Sequence, residues 1–133
     1  MALFDTSILL DYLLGDKRAD AVFRQHQYRA VSVISWVEVM CVSPEEKHEA
    51  TRAFLRSFER LSINEGIADE ALVLVRSRPG LAIHRALTWA TAIVNRMPYV
   101  TVEVTHIARD EPGVVIPYRW SGAGKSAKEL RRA

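Results

Sequence analysis

The chain has 133 residues, 49% hydrophobic and 26% charged, with a formal net charge of +2, which excludes a collagenous or disordered protein and leaves one globular domain as the expectation. A domain this long can fold without a metal or a disulfide, so any metal expected here is functional. The single cysteine, Cys41, excludes an internal disulfide and a cysteine-held zinc or iron–sulfur site, and with no apolar run near the ~18 residues of a membrane span it points to a cytoplasmic protein.

Ala2-Leu3-Phe4 is a short apolar run ending in Asp5, and the spacing of Ile8, Leu9, Tyr12 and Leu13 then becomes helical. A buried strand feeding a helix is predicted, with Asp5 at their junction. Gly15-Asp16 ends that helix, and residues 17–28 predict a second with Ala21, Val22 and Phe23 inward. Arg29 to Val33 has the β-branched character of a strand. Ser35-Trp36-Val37-Glu38 matches a capping box, and Ser43-Pro44-Glu45-Glu46 repeats the signature with proline at the first helical position.

A helix over 44–59 would align Arg52 and Arg56, with Arg60 one turn on, along one face shared with Glu49 and Glu59. Leu61 to Ile63 predicts a strand, Asn64 caps a helix over 65–76, and Ser77-Arg78-Pro79-Gly80 is a loop. A helix over 83–95 and strands at Tyr99–Val102 and Val114–Ile116 complete residues 1–120. Beyond Trp120 no apolar periodicity remains, and Lys125, Lys128, Arg131 and Arg132 against Glu129 make residues 121–133 a flexible basic tail, so that the 1–120 domain stands at −1. Gly124-Lys125-Ser126 lacks the glycine and the preceding strand of a phosphate-binding loop and belongs to that tail.

Short apolar strands alternating with helices predict an α/β fold, a mostly parallel sheet covered on both faces. Sites in such sheets lie outside the carboxyl ends of the strands. Asp5 is at one such end, and Glu38 stands near another. Each has a structural use, as an N-cap and as the capping-box glutamate. Brought to one edge they would repel, and hard oxygen ligands of this kind suit Mg²⁺ or Mn²⁺.

Leu3-Phe4-Asp5-Thr6-Ser7-Ile8-Leu9-Leu10-Asp11-Tyr12-Leu13 resembles the opening of PIN domains, in particular the VapC-type toxins of toxin–antitoxin pairs, and Val33-Ile34-Ser35-Trp36-Val37-Glu38-Val39 resembles their second signature. Ala90-Thr91-Ala92, Pro98-Tyr99-Val100-Thr101 and Pro117-Tyr118 are similar to later blocks. The resemblance implies a three-layer α/β/α domain, usually dimeric, that cleaves RNA with Mg²⁺ or Mn²⁺ held by four acids. Asp5 and Glu38 match the first two, with Thr6 or Ser7 as hydroxyl donors behind them. Asp11 matches an acid common in the opening motif that is not counted among the ligands.

The third acidic position is Arg85, the fourth falls on His106, and Trp89 replaces a small residue. Arg85 is expected to occupy the ion's place, pairing bidentately with Asp5 or Glu38. Two readings follow. In one, the chain acts by binding RNA or an antitoxin protein, with ribonuclease activity weakened or lost. In the other it remains an active endoribonuclease, Glu103 serving as the replacement ligand with Asp69 or Asp110 approaching and His106 favouring Mn²⁺. His26, His48 and His84 read as surface residues. A homodimer is implied by the resemblance, and exposed Trp89 or Trp36 would support one.

Overall fold

A computed structural model of the chain describes residues 1–120. The expected tail at 121–133, with Gly124-Lys125-Ser126, lies outside the described residues. The elements in order are β1 (Ala2–Phe4), α1 (Thr6–Leu13), α2 (Lys17–Arg24), β2 (Arg29–Ser32), α3 (Val33–Val42), a 3-10 turn (Glu45–Lys47), α4 (His48–Leu55), β3 (Glu59–Leu61), α5 (Glu65–Ser77), α6 (Ile83–Val94), β4 (Tyr99–Val100) and β5 (Val114–Val115). The strands form one sheet in the order β3-β2-β1-β4-β5, and every pairing is parallel.

Period-two alternation divides the core between the two faces of the sheet. Ala2, Phe4, Val31 and Val100 pack against α1 to α4, while Leu3, Ala30 and Tyr99 pack against α5 and α6. This is the expected three-layer α/β/α arrangement. The first face is aromatic: Phe4 lies 4.9 Å from Phe23 and 6.0 Å from Phe58 between ring centroids, and Tyr12 stacks on Phe54 at 4.4 Å. Such pairs add specific ring geometry to area burial.

Several boundaries differ from the sequence expectations. Helix α2 stops at Arg24, four residues early, and buries Ala19, Val22 and Phe23 rather than Ala21; the i, i+3, i+4 set is the stripe that faces the sheet. Helix α3 is capped by Ser32, whose side chain accepts from the Ser35 N–H. Ser35 is therefore inside the helix, and Glu38 is free of the capping box. The helix expected over 44–59 splits, because successive turn bonds from Ser57 N to Phe54 O and from Phe58 N to Leu55 O end α4 and fold Phe58 into the core. Arg60 is thereby moved onto β3. Strand β4 is only two residues long, and its continuation, Thr101 and beyond, turns over the sheet's edge toward Asp5.

Trp89 is buried, stacked on Tyr99 at 6.1 Å and covered by the Arg78 guanidinium at 4.6 Å from its centroid. It fills space beneath α6 and offers no surface to a second copy. Gly80, with φ +92°, is required where it stands: a Cβ there would meet His106 Cε1 at 2.9 Å. The ring of His106 is thus packed over the loop after α5.

Candidate functional site

The chain switches direction across β1. Residues 2–61 build one side of the sheet, and β4 and β5 return on the other. Crevices outside the carboxyl ends of strands at such a switch point are where open α/β sheets bind ligands. Here the crevice, about 180 Å³, is lined by residues that include Asp5, Glu38, His84, Arg85, Glu103 and Trp120.

Asp5 caps α1 and is 4% exposed. Its Oδ2 accepts from Ser7 N at 3.1 Å, Ser7 Oγ at 2.6 Å and Thr101 Oγ1 at 3.0 Å, and its Oδ1 accepts from the Tyr99 hydroxyl at 2.6 Å. Both oxygens are thus committed to donors of the fold itself. Burial, and then the adjacent carboxylate, push the Tyr99 phenol well above its ordinary value, and the charge of Arg85 is near enough to oppose that shift. The Tyr118 phenol is raised too, by burial and by its bond to Asp11.

These two phenols set an alkaline limit. In the unfolded chain each titrates near the ordinary value of 10.0, while the folded protein keeps both protonated at higher pH. Above about pH 10 the unfolded state therefore binds fewer protons and stability falls as pH rises, by up to about 1.4 kcal/mol per pH unit for each phenol. Urea midpoints are expected to decline from about pH 10 upward, and Tyr118→Phe should flatten the decline. An equal slope in the variant would refute the assignment for Tyr118.

Glu38 projects from α3. Its Oε1 accepts from Thr6 Oγ1 at 2.9 Å, which also lies 2.8 Å from Ser35 Oγ, and its Oε2 is 3.0 Å from His84 Nδ1. His84, read as a surface residue from sequence, is half exposed yet belongs to the cleft; its one signal was adjacency to Arg85 in the first turn of α6. Thr6 and Ser7 serve different carboxylates, Thr6 reaching Glu38 and Ser7 reaching Asp5.

Arg85 does not pair with Asp5 or Glu38 as expected. Its Nη1 donates to the Thr105 carbonyl at 2.8 Å and its Nη2 to the Glu103 carbonyl at 2.7 Å. The loop after β4 supplies two carbonyls in a fork's geometry, and α6 delivers the guanidinium to them before it reaches either acid. The same loop brings Glu103 to the rim of the cleft, where its Oε1 accepts from Thr105 N of its own loop at 2.9 Å. His106 takes a left-handed backbone, φ 65°, and its ring lies against Gly80 outside the cleft. Asp69 and Asp110 are exposed and do not line the cleft. Among the described residues no three His, Cys, Asp or Glu side chains form one ion-binding group.

Sequence reasoning missed Tyr99 and Thr101 as partners of Asp5, because their spacing read only as strand. It also missed Trp120, which closes one side of the cleft. That residue is held by Asp11, whose Oδ2 accepts from the Tyr118 hydroxyl at 2.7 Å and whose Oδ1 accepts from Trp120 Nε1 at 3.3 Å; Arg18 Nη1 adds a bond to the Arg119 carbonyl at 3.1 Å. Asp11→Ala should strand two donors, cost about 1–3 kcal/mol and speed chymotryptic cleavage at Tyr118 and Trp120. Unchanged cleavage would show that the placement of residues 118–120 does not depend on Asp11.

No family model and no curated protein matches the sequence. Solved structures do match. A chain of a toxin–antitoxin complex from Klebsiella pneumoniae is 32% identical, with TM-score 0.83 over 90% of this chain and 100% of that one. A chain of FitAcB from Neisseria gonorrhoeae is 20% identical, with TM-score 0.72 over 88% of this chain and 98% of that one. A chain of VapBC2 from Rickettsia felis, bound to a DNA fragment from their promoter, is 17% identical with TM-score 0.66 over 90% and 98% of the two chains. The last two likenesses concern the fold alone.

Proposed function

Since the chain belongs to one family with the toxin–antitoxin complex chain from Klebsiella pneumoniae to which it is 32% identical, we propose that it is a VapC/FitB-like toxin subunit that works by binding, to RNA and to an antitoxin-type protein, as a homodimer whose ribonuclease activity is weakened or lost. The observation that carries this reading is Arg85, a cation in the acidic cleft fixed by two carbonyls of the loop that also bears Glu103.

Three features of the cleft speak against a tight Mg²⁺ or Mn²⁺ site. Asp5 has both oxygens engaged by neutral donors, Glu38 is shared between Thr6 and His84, and Glu103 Oε1 is turned to its own loop. A divalent ion entering would compete with these bonds and share the cleft with a guanidinium. Were the two charges ~4 Å apart at an effective dielectric near 20, that repulsion would be of order 8 kcal/mol, twice the value for a unit pair. The antitoxin part rests on the related chain's assembly in a toxin–antitoxin complex.

Calorimetric titration with Mn²⁺ and Mg²⁺, with cleavage of a labelled RNA followed in the same samples, tests the reading. Glu38→Gln is the control for contaminating nuclease, since Glu38 is a third exposed and its amide keeps the shape. No cation heat and no Glu38-dependent cleavage are expected, with RNA binding retained. Mn²⁺-dependent cleavage that disappears in Glu38→Gln would establish the other reading, an active endoribonuclease with Glu103 as its replacement ligand. Dilution-dependent mass checks the dimer.

A further inference from the structure

Away from the acidic cleft, a groove of about 380 Å³ is lined by Trp36, Arg52, Leu55, Arg56, Phe58 and Arg60. The chain assembles it from three elements: Trp36 from α3, Arg52 and Arg56 from the end of α4, and Arg60 from the edge strand β3. Two guanidiniums are held over the indole of Trp36, Arg60 at 4.7 Å and Arg52 at 5.6 Å from its centroid. Buried Leu55 and Phe58 make the floor.

The charge is unbalanced. No carboxylate lines the groove, and among the described residues none of the three arginines forms an ion pair. Glu49 and Glu59, which the sequence set beside them, do not pair with them. Helix α4's dipole accounts for a cation in its last turn but not for Arg60, which arrives from a strand and is aimed at the same indole. Two guanidiniums over one indole, with Arg56 lining the same groove, repel, and an anion relieves that repulsion.

We propose that this groove is a phosphodiester subsite for single-stranded RNA, in which Arg52, Arg56 and Arg60 hold the backbone and the guanidinium planes over Trp36 supply a stacking surface. The proposal rests on the RNA-binding reading above and adds a site to it. Planar guanidinium forks match phosphate oxygens bidentately. Unpaired bases stack on arginine planes and aromatic rings alike, and an acidic peptide would make no use of that surface. The volume lies within the range that accepts a small ligand. Trp36 and Glu38 are two residues apart on α3, about 200° around its axis, so groove and cleft flank one helix of roughly 10 Å diameter. A strand held in the groove reaches the cleft across that helix.

Fluorescence anisotropy of a labelled oligouridylate over a range of salt concentrations tests this on the full chain, so that the charges of residues 121–133 are constant across the series. Arg52→Gln/Arg60→Gln is expected to bind at least tenfold more weakly, and the logarithmic salt slope to shrink by about 0.7 for each phosphate contact removed. Arg24→Gln, whose guanidinium pairs with Asp20 on α2, should change neither. Because the groove arginines are exposed, the double variant keeps its fold, which near-ultraviolet circular dichroism verifies. An unchanged affinity and slope in that variant, while the unmodified chain binds RNA, overturns the groove and leaves the RNA reading standing. No RNA binding by the unmodified chain overturns both. Polyglutamate binding the groove more tightly than RNA, with the same arginine dependence, overturns the proposal and assigns the groove to an acidic protein segment.

Discussion

Asp5→Ala is expected to destabilise the fold by about 3–5 kcal/mol, lowering the melting temperature by roughly 10–18 °C for a domain of this size. The carboxylate accepts from Ser7 N, Ser7 Oγ, Thr101 Oγ1 and the Tyr99 hydroxyl, and all four groups are buried at the point where β1, β4 and α1 meet. Each donor left without an acceptor costs about 1–3 kcal/mol. Some of that is recovered, because Ser7 Oγ and Thr101 Oγ1 already lie 3.3 Å apart and can pair with each other. Asp5→Asn keeps the shape and one acceptor, so a smaller loss of about 1–3 kcal/mol is expected. Urea denaturation of the three proteins measures this, and a loss under 1 kcal/mol for Asp5→Ala would mean that the network contributes little. Loss of activity in an Asp5 variant therefore cannot be assigned to chemistry until its stability is known, whereas Glu38→Gln disturbs fewer bonds at a site a third exposed.

The second large effect is expected at Arg85. Arg85→Asp should bind Mn²⁺ at least a hundredfold more tightly than the unmodified chain. The substitution removes a cation from the cleft, adds a carboxylate to it and frees the carbonyls of Glu103 and Thr105. A third of the ~8 kcal/mol repulsion, about 2.7 kcal/mol, already amounts to a factor of about one hundred. Arg85→Ala separates the contributions: binding in both variants assigns the gain to removal of the cation, and binding in Arg85→Asp alone assigns it to the new ligand. If the unmodified chain binds Mn²⁺ as tightly as Arg85→Asp, the guanidinium is no barrier and the reading under Proposed function fails.

Arg85 also shows where reasoning from residue types stops. A guanidinium close to two carboxylates in the motif pattern pairs with them on grounds of charge, yet it chose two carbonyls. Charge complementarity is long-ranged and permits several partners, while a bidentate bond requires two acceptors at the right separation and angle. Only the path of the loop after β4 provides them. His84 reached Glu38 for the same kind of reason, because the docking of α6 against α3 fixes which residue of its first turn meets the acid.

What the sequence determined by itself is whatever depends on near neighbours: the order of strands and helices, the caps at Asp5 and Asn64, and the opening block around Asp5 that signals the family. Periodicity and capping act over three or four residues and survive in one dimension. The tertiary structure decided everything that required two distant segments to meet: Tyr99 and Thr101 on Asp5, Asp11 under Tyr118 and Trp120, Arg85 on the loop beyond β4, and Arg60 beside Arg52 over Trp36. Those contacts join residues as far apart as Asp11 and Trp120, a separation of 109. Their geometry follows from how the helices dock on the sheet, which no local spacing encodes.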